Sequence, residues 1–400
     1  MVLGVILVDK LRKRLEYVLK HNRVVQRVYR IALSSFFRFL GLFVNTDENL
    51  VLFASFSGKA YNDSPREIYE HMLQRPDCKN LKYVWAFEDP DKFDFIAAEK
   101  VKIDTMRYFI TALRAKYWVT SVNVERGLKF KKRGTIYLNT WHGIPLKTVG
   151  NAVPGRSDFD FSNVDIFCYS GEYEREIYVR DFKVSEESLL LSGMPRNDRL
   201  YRVTSDEVRI LREKLNIPAD KKVILYAPTW RDSTDGGRTY MLAPPIEVSK
   251  WRAALEDEFV LLLRTHVATN KLLGVVFDDF VRDVTDYPDI NDLLAIADVL
   301  ISDYSAVIFD YSILSKPIIC FGYDYEEYCR KRGLYVDLNN EIPGGVLYTE
   351  DEVLERLLNM DYVAESENSK AFAERYIQVT GNATEMCVNN LLKKGGLPER

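Results

Sequence analysis

The sequence lacks the features that define disulfide-bonded, zinc-binding and membrane-spanning proteins. Its five cysteines lie far apart and form no C-x-x-C pair, which argues for a reducing compartment and against both disulfides and structural zinc. No apolar run approaches the roughly 20 residues that cross a bilayer. No small-residue cleavage site follows a clean apolar stretch either, so we expect neither a spanning helix nor a secretory signal.

Three common catalytic motifs are also missing. The sequence contains no G-x-G-x-x-G after its first predicted strand, no G-x-x-x-x-G-K-[ST] and no G-x-S-x-G. These absences disfavour a dinucleotide oxidoreductase, a P-loop NTPase and a serine hydrolase with a nucleophile elbow. Two Asp-x-Asp pairs occur, at residues 89–91 and 158–160. Neither follows a convincing buried strand, so we interpret them as surface acids rather than metal ligands.

Histidine is scarce, with four residues in a chain of 400. His21 and His71 lie in helical patterns, whereas His142 and His266 lie where a predicted strand meets a turn. Histidine is the side chain best suited to moving a proton near neutral pH. The two strand-end histidines are therefore the first candidates for catalysis.

The net charge of −4 conceals an asymmetry between the N-terminus and the rest of the chain. Residues 1–44 carry nine Lys or Arg against two acids, so this segment is +7 and the remainder is −11. The basic residues alternate with apolar ones and end in a cluster at Phe36, Phe37 and Phe39, a pattern typical of an amphipathic helix on an anionic membrane surface. The alternative is a helical hairpin packed on the protein with solvated charges.

From residue 49 onward, short apolar runs alternate with helical patterns. We predict buried strands, rich in Val, Ile, Tyr and Phe, at residues 50–55, 83–87, 117–121, 135–139 and 165–169. A Ser-Pro pair at residues 64–65 starts a helix, and residues 106–115 form another. Alternation of this kind means a parallel sheet covered by helices.

A second series of strands and helices follows residue 200. Strands are predicted at residues 223–227, 259–264, 281–284, 299–302 and 317–321, and helices near residues 249–256, 290–297 and 306–314. The fold class is therefore α/β, with two Rossmann-like domains that face each other across a cleft, because 400 residues are too many for one core. We expect an amphipathic helical segment at residues 1–45, an N-terminal domain at 46–200 and a C-terminal domain at 201–400.

Ligands of such sheets bind at the carboxyl ends of the strands, and four loops of the second series lie there. They are Ala-Pro-Thr-Trp-Arg-Asp at residues 227–232, Leu-Arg-Thr-His at 263–266, the acidic segment 286–292 and Ser-Asp-Tyr-Ser at 302–305. Each loop alone has an ordinary structural explanation, such as an ion pair or a helix cap. Together they predict a nucleotide diphosphate pocket, because guanidinium groups, hydroxyls and helix N-termini bind phosphate.

With Thr-Trp-His-Gly at residues 140–143, these segments resemble, in order and spacing, those of the CDP-glycerol glycerophosphotransferases that build wall teichoic acids and some capsules. The resemblance covers roughly residues 49–392. It implies a GT-B fold, with a CDP-alditol donor on the C-terminal domain and an acceptor on the N-terminal domain. It also implies peripheral attachment to the cytoplasmic face of the cell membrane.

The resemblance assigns site residues. It puts the family's essential histidine at His142, a phosphate-side histidine at His266, and the pyrophosphate-binding hydroxyls at Ser302 and Ser305. The expected donor-binding residues are Thr229, Arg231, Arg264, Asp286, Asp289, Ser302, Asp303, Ser305 and Asp310. The expected acceptor-binding residues are Ser57, Gly58, Lys59, Trp141 and Gly143.

The sequence departs from the family at two points. Ala306 stands where many members carry a second serine, which puts one phosphate contact in question. The chain also lacks the extra N-terminal region of the long polymerases, although its Trp-His-Gly-Ile-Pro-Leu-Lys segment at residues 141–147 is closer to polymerases than to short primases. The motifs therefore leave open whether one unit or many are added.

The resemblance implies that a terminal hydroxyl of an undecaprenyl-diphosphate-linked acceptor attacks the phosphorus that bears the alditol, and that CMP leaves. His142 would be the general base, while His266 and Arg231 would hold charge on the leaving phosphate. We expect no cofactor, no catalytic metal and no nucleic-acid partner. The choice between CDP-glycerol and CDP-ribitol stays open, as does homo-oligomer formation.

Two alternatives to this function remain at this point. One is a GT-B nucleotide-sugar glycosyltransferase or epimerase, because fold does not fix function. Such enzymes usually hold the ribose with an acidic residue late in the C-terminal domain, a place that Asp310 could fill. The other is a non-catalytic, membrane-bound nucleotide-binding scaffold, which the pair of strand-end histidines disfavours and which CMP release would exclude.

Overall fold

The computed structural model describes residues 22–229, 245–265 and 275–396. Within these residues the chain forms two parallel sheets, with strand orders β3-β2-β1-β4-β5-β6-β7 and β10-β9-β8-β11-β12-β13. The strands of the first sheet are β1 (Asp47–Ala54), β2 (Lys82–Phe87), β3 (Glu99–Lys102), β4 (Ala115–Thr120), β5 (Ile136–Asn139), β6 (Ile166–Tyr169) and β7 (Leu189–Leu191). Those of the second sheet are β8 (Lys222–Tyr226), β9 (Phe259–Leu263), β10 (Val281–Asp283), β11 (Val299–Ser302), β12 (Ile318–Phe321) and β13 (Val346–Leu347).

Helices connect the strands and cover the sheets. In the described residues the α-helices span Arg23–Gly41, Asp63–Gln74, Met106–Arg114, Glu172–Phe182, Ser205–Lys214, Val248–Leu255, Ile290–Ile296, Val307–Ser312, Tyr325–Arg332, Leu338–Glu341, Glu350–Leu358, Tyr362–Tyr376 and Ala383–Lys394. Short 3-10 helices occur at Phe56–Gly58, Pro76–Cys78, Pro90–Phe93, Gly150–Ala152, Glu186–Ser188 and Pro195–Tyr201. The predicted α/β class with two parallel sheets is confirmed.

The strands that sequence reasoning missed all lie at sheet edges. Every predicted strand overlaps an observed one, whereas β3, β7 and β13 were not predicted. These three strands are two to four residues long, and β3 buries only one side chain, that of Val101. An edge strand has a neighbour on one side only and does not need the continuous apolar run by which a central parallel strand is recognised.

The first sheet is buried on both faces, and the end of the chain supplies part of its cover. Leu52 packs in the core on one face, while Val51 and Phe53 pack on the other face in a cluster that includes Cys387 and Leu391. Both of these last residues belong to the final helix, Ala383–Lys394. The chain therefore passes from the second sheet back to the first. The domain limits at residues 45 and 200 stay predictions.

The N-terminal helix, Arg23–Gly41, is amphipathic in its contacts. Asn22 caps it by accepting hydrogen bonds from two backbone N–H groups. Phe37 is buried and stacks on Phe109 with ring centroids 4.3 Å apart, whereas Val24 is 72% exposed and Phe39 62% exposed. Residues 1–21 lie outside the described part of the chain, so the predicted segment 1–45 is described only in part. None of the described helices has the length and apolar content to cross a membrane.

Segments that follow strands of the two sheets contact each other. The helix that follows β1 reaches the loop that follows β10, where Arg66 forms an ion pair with Asp289 at 2.6 Å. Beside it, the Asn62 side-chain amide donates to the Pro288 carbonyl at 3.5 Å. The segment after β1 therefore contacts the segment after β10.

Candidate functional site

The Thr-Trp-His-Gly motif forms a tight loop directly after β5. Trp141 has a left-handed backbone with φ +53°, and its N–H donates to the Asn139 side chain at 2.9 Å. Its ring is buried against Phe182, with centroids 4.8 Å apart. The next residue, His142, is half-buried, and its ring lies 4.1 Å from that of the anchored Trp141.

The hydrogen bonding of His142 fixes which ring nitrogen can accept a proton. His142 Nδ1 lies 2.9 Å from the carbonyl oxygen of Ser121, at the end of the neighbouring strand β4. A carbonyl oxygen can only accept, so Nδ1 carries the hydrogen and Nε2 holds the lone pair. Burial lowers the pKa of His142 below its ordinary value. The imidazole is therefore neutral at pH 7 and able to act as a base at Nε2.

The loop after β1 lies beside the His142 loop. Phe56, Ser57 and Gly58 all have positive φ, and a Cβ on Gly58 would lie 2.9 Å from the backbone nitrogen of Glu88. Only glycine fits there without a shift of the neighbouring backbone. The Phe56 ring lies 5.7 Å from that of His142, and Lys59 is exposed at the end of the loop. The structure thus brings the predicted residues after β1 and β5 together.

The His142 loop also contacts the Ser-Asp-Tyr-Ser motif of the second sheet. A Cβ on Gly143, whose φ is +153°, would lie 2.8 Å from the Cβ of Ala306. The absence of a side chain at Gly143 allows this approach. The loop that carries His142 therefore contacts the segment that carries Ser305, which is partly exposed and directly precedes Ala306.

Several of the predicted donor-side residues are already committed to hydrogen bonds within the protein. The Ser302 hydroxyl is fully buried and donates to the Ala227 carbonyl at 2.7 Å. One carboxylate oxygen of Asp303 accepts from the backbone N–H of Thr229 at 2.7 Å and from that of Tyr304 at 2.6 Å. These bonds join the loops after β8 and β11 into one unit.

Arg264 shapes the acidic loop after β10. Its guanidinium donates to the carbonyl oxygens of Val284 and Tyr287, both at 2.9 Å. Burial lowers the pKa of Arg264, while Asp289 and Asp286 oppose that shift. Asp286 is exposed, and Asp289 caps the next helix by accepting from the Asn291 N–H at 3.0 Å. Arg264 therefore holds this loop in place through its hydrogen bonds to two backbone carbonyls.

Asp310 lies in a buried ion network that sequence reasoning did not predict. Its two carboxylate oxygens accept from Arg196 at 2.7 Å and from Asn197 at 2.6 Å. Arg196 also donates to Asp63, of the first half of the chain, at 2.9 Å. Both carboxylate oxygens of Asp310 are thus engaged within the protein. The structure does not give Asp310 the open position beside a ribose that was suggested for it from the sequence. The sequence signal for this network was the polar Pro-Arg-Asn-Asp segment at residues 195–198, which lies between the first and second series of strands.

Two predicted residues, Arg231 and His266, lie outside the described part of the chain, so their roles stay predictions. Across the described ranges, no group of three His, Cys, Asp or Glu side chains is arranged to hold a metal ion. The acids of the Asp-x-Asp pair at residues 158–160 form ion pairs with Arg30 and Lys129. That pair therefore belongs to the protein's basic surface.

The arrangement of these loops can be compared with known proteins. The family model for CDP-glycerol:poly(glycerophosphate) glycerophosphotransferase matches residues 35–393. This chain belongs to that family. The family resemblance predicted from the motifs is thereby confirmed.

Individual relatives agree with the family. The teichoic acid poly(glycerol phosphate) polymerase of Staphylococcus epidermidis is 35% identical over 372 residues, which are 88% of this chain and 51% of that protein. The chain thus spans about half the length of that relative. The teichoic acid glycerol-phosphate transferase of Staphylococcus aureus is 31% identical over 404 residues, 93% of this chain and 100% of the relative.

Solved structures of similar proteins also support the family assignment. The wall teichoic acid polymerase TagF superposes with a TM-score of 0.80 at 33% identity, covering 97% of this chain and 98% of that one. A TagF variant soaked with CDPG has a TM-score of 0.79 at 32% identity, with 95% and 98% covered. A UDP-GlcNAc 2-epimerase from Neisseria meningitidis, at 12% identity and a TM-score of 0.54 over 86% of this chain and 99% of that one, shares the fold alone.

Proposed function

We propose that this chain transfers glycerol phosphate from CDP-glycerol to a hydroxyl of a lipid-linked acceptor and releases CMP. Its membership of the glycerophosphotransferase family and the teichoic acid names of its relatives support this proposal. The observation that carries the proposed site is the approach of Gly143 to Ala306, which sets His142 beside the Ser-Asp-Tyr-Ser loop. A base on one sheet edge thus faces a phosphate-binding loop on the other.

In this proposal His142 is the general base. Its Nε2 accepts the proton of the acceptor hydroxyl as that oxygen attacks the alditol-bearing phosphorus, and the Ser121 carbonyl holds the ring in the required tautomer. The bond from phosphorus to the CMP oxygen breaks, and CMP leaves with the electron pair. Proton transfer by a positioned base contributes a factor of about 10² to 10⁴ in rate.

We divide the donor-side residues into three groups. Ser305, Thr229, Asp286 and Asp289 are proposed to lie against the CDP moiety, with Arg231 and His266 on its diphosphate. Ser302, Asp303 and Arg264 are proposed to hold the loops in shape, since each already bonds a neighbouring loop. Asp310 is proposed to pair the two halves of the chain rather than to bind ribose.

On the acceptor side we propose the loop after β1, with Ser57, Gly58 and Lys59, together with Trp141 and Gly143. Phe56 and Trp141 both contact the His142 ring, so a hydroxyl held between these two loops would reach Nε2. The acceptor is proposed to carry an undecaprenyl diphosphate, and the enzyme to act at the cytoplasmic face of the cell membrane.

Donor choice tests this proposal directly. We expect the protein to release CMP from CDP-glycerol only when a short-chain lipid-diphosphate-linked acceptor is present, and the product mass to grow by glycerol phosphate units. CDP-ribitol serves as the matched donor. Faster transfer from CDP-ribitol would contradict the donor assignment, and sugar transfer from a UDP-sugar would contradict the reaction class. The number of units in the product distinguishes single addition from polymerisation.

A second proposal concerns attachment to an anionic membrane surface by the N-terminal segment. The N-terminal helix and the turn after it expose a cluster of large apolar side chains, each at least 47% exposed: Val24, Val28, Ile31, Phe36, Phe39, Leu42 and Phe43. Such a cluster on a basic helix is suited to the boundary between lipid headgroups and acyl chains. The packed-hairpin alternative does not account for these exposed rings.

We expect Phe39→Ser combined with Phe43→Ser to reduce sedimentation with vesicles that contain phosphatidylglycerol, with little change in melting temperature. These two rings are 62% and 70% exposed, so their removal costs the fold little. Phe37→Ser is the matched control: its ring is 4% exposed, and its loss should lower the melting temperature. Unchanged vesicle binding by the double variant would contradict a membrane role for this helix.

A further inference from the structure

A basic cavity lies between the N-terminal helix and two loops of the first half of the chain. Its volume is about 980 Å³, and we call it the basic groove. Five cations and two carboxylates line it: Arg27, Arg30, Arg38, Lys129, Arg156, Asp158 and Asp160. This excess of positive charge is unusual in a chain whose residues after 44 carry a net −11.

A second cavity adjoins the basic groove and reaches Trp141, the residue before the proposed catalytic base. This cavity of about 390 Å³ shares Arg30, Lys129 and Arg156 with the groove and extends to Ser57 and Trp141. The Trp141 ring lies 4.1 Å from that of His142. A ligand that fills both cavities therefore extends from the N-terminal helix to the side of the catalytic base.

The chemistry of the groove suits a phosphate group. Asp158 sits between two guanidinium groups, 3.1 Å from Arg30 and 3.3 Å from Arg156. Among the described residues, no carboxylate lies within ion-pair distance of Arg27 or Arg38. Guanidinium groups bind phosphate oxygens in the same planar manner as carboxylate oxygens, so an incoming phosphate can replace Asp158 between the two arginines.

The position of the groove relative to the proposed membrane surface selects the ligand. One wall of the groove is the helix that exposes Val24, Val28 and Phe39. A lipid-linked acceptor that leaves the membrane at this helix presents its phosphates to the groove first, and its far end then reaches Trp141.

We propose that the basic groove binds the phosphate groups of the acceptor and guides its terminal hydroxyl to His142. This inference rests on the proposed function. Arg30 and Arg156 bind the acceptor phosphate nearest the catalytic base, and Asp158 competes with that phosphate for them.

The test uses the full chain, CDP-glycerol and a water-soluble, short-chain lipid-diphosphate-linked acceptor without vesicles. We expect Arg30→Ala combined with Arg156→Ala to raise the KM for the acceptor by about tenfold or more, because two charge-assisted hydrogen bonds are lost. The KM for CDP-glycerol should stay the same. Arg107→Ala is the matched control, since Arg107 pairs with Glu99 on the same half of the chain and lines neither cavity.

Asp158→Asn is expected to change the KM for the acceptor in the opposite direction. It keeps every cation of the groove and removes the competing carboxylate, so we expect the KM for the acceptor to fall. A structural role for the Arg30–Asp158–Arg156 cluster predicts instead that both variants impair the enzyme. If the double arginine variant does not fold, the direction of the Asp158→Asn effect decides the question alone.

The acceptor carries phosphate in its lipid diphosphate and in its glycerol phosphate units, and inhibition distinguishes the two. A short-chain lipid diphosphate and a soluble glycerol phosphate oligomer are compared as inhibitors of parent and double variant, and the compound whose inhibition weakens in the variant contains the bound phosphate. The proposal would be overturned if the parent and the double arginine variant had equal KM values for the acceptor. It would also be overturned if the variant lost vesicle binding but kept the parent's KM for the acceptor. A parent protein that releases no CMP would contradict the proposed function instead.

Discussion

His142→Ala is expected to lower the rate of glycerol phosphate transfer by about 10² to 10⁴ and to leave the affinity for CDP-glycerol largely unchanged. The physical reason is that a general base acts on the acceptor hydroxyl and makes no bond to the donor. The rate is measured as CMP release at saturating donor, and donor affinity by calorimetric titration. A loss of CDP-glycerol binding as large as the loss of rate would show that His142 holds the donor.

The pH dependence of the rate gives a second readout of the same residue. Burial lowers the pKa of His142, so the neutral, basic form persists to lower pH than for a free histidine, whose pKa is about 6.5. The acidic limb of the transfer rate should therefore lie below that value. His71→Ala is the matched control, since His71 lies in the last turn of the helix Asp63–Gln74 and is not one of the proposed site residues. Its profile should match that of the parent.

Arg196→Met is expected to have the largest effect on stability, lowering the free energy of unfolding by about 3 to 5 kcal/mol. The side chain is 10% exposed and bridges Asp63 and Asp310, whose side chains are 2% and 5% exposed. Removal of the guanidinium leaves two carboxylates buried without their cation, and that desolvation penalty is the source of the loss. Chemical denaturation of parent and variant measures it.

Two further variants separate this cause from a general loss of packing. Arg196→Met combined with Asp63→Asn and Asp310→Asn removes the uncompensated charges and should recover part of the stability. Arg107→Met removes an exposed pair, with side chains 67% and 59% exposed, and should cost no more than about 1 kcal/mol. Equal stability of Arg196→Met and parent would show that the network does not hold the two halves together.

Much of the fold follows from local sequence. The long apolar strands β1, β4, β8 and β9 are each buried over most of their length, and a strand that is covered on both faces must be apolar along that length. Alternation with helices then implies parallel sheets, and parallel sheets bring the carboxyl ends of strands to one edge. The sequence could therefore indicate that residues 140–143, 227–229 and 302–305 share a cleft before any contact was known.

Contacts within that cleft were not predictable in the same way. Ser302 and Ser305 are alike in the sequence, yet the first hydroxyl is fully buried on the Ala227 carbonyl and the second side chain is partly exposed. Ser302 is the last residue of β11, whereas Ser305 lies in the turn that follows the strand, so the two hydroxyls have different surroundings. Role assignment from motif resemblance cannot resolve that difference.

The sequence by itself determined the class of fold, the family and the strand-end location of the chemistry, because apolar periodicity and short motifs are local properties of the chain. Only the tertiary structure decided that Arg196 joins Asp63 to Asp310, that Gly143 meets Ala306, and that the basic groove and the adjoining cavity extend from the N-terminal helix to Trp141. Each of these features joins residues about 100 or more positions apart. Their proximity depends on how two packed sheets meet, and no pattern along the chain records that arrangement.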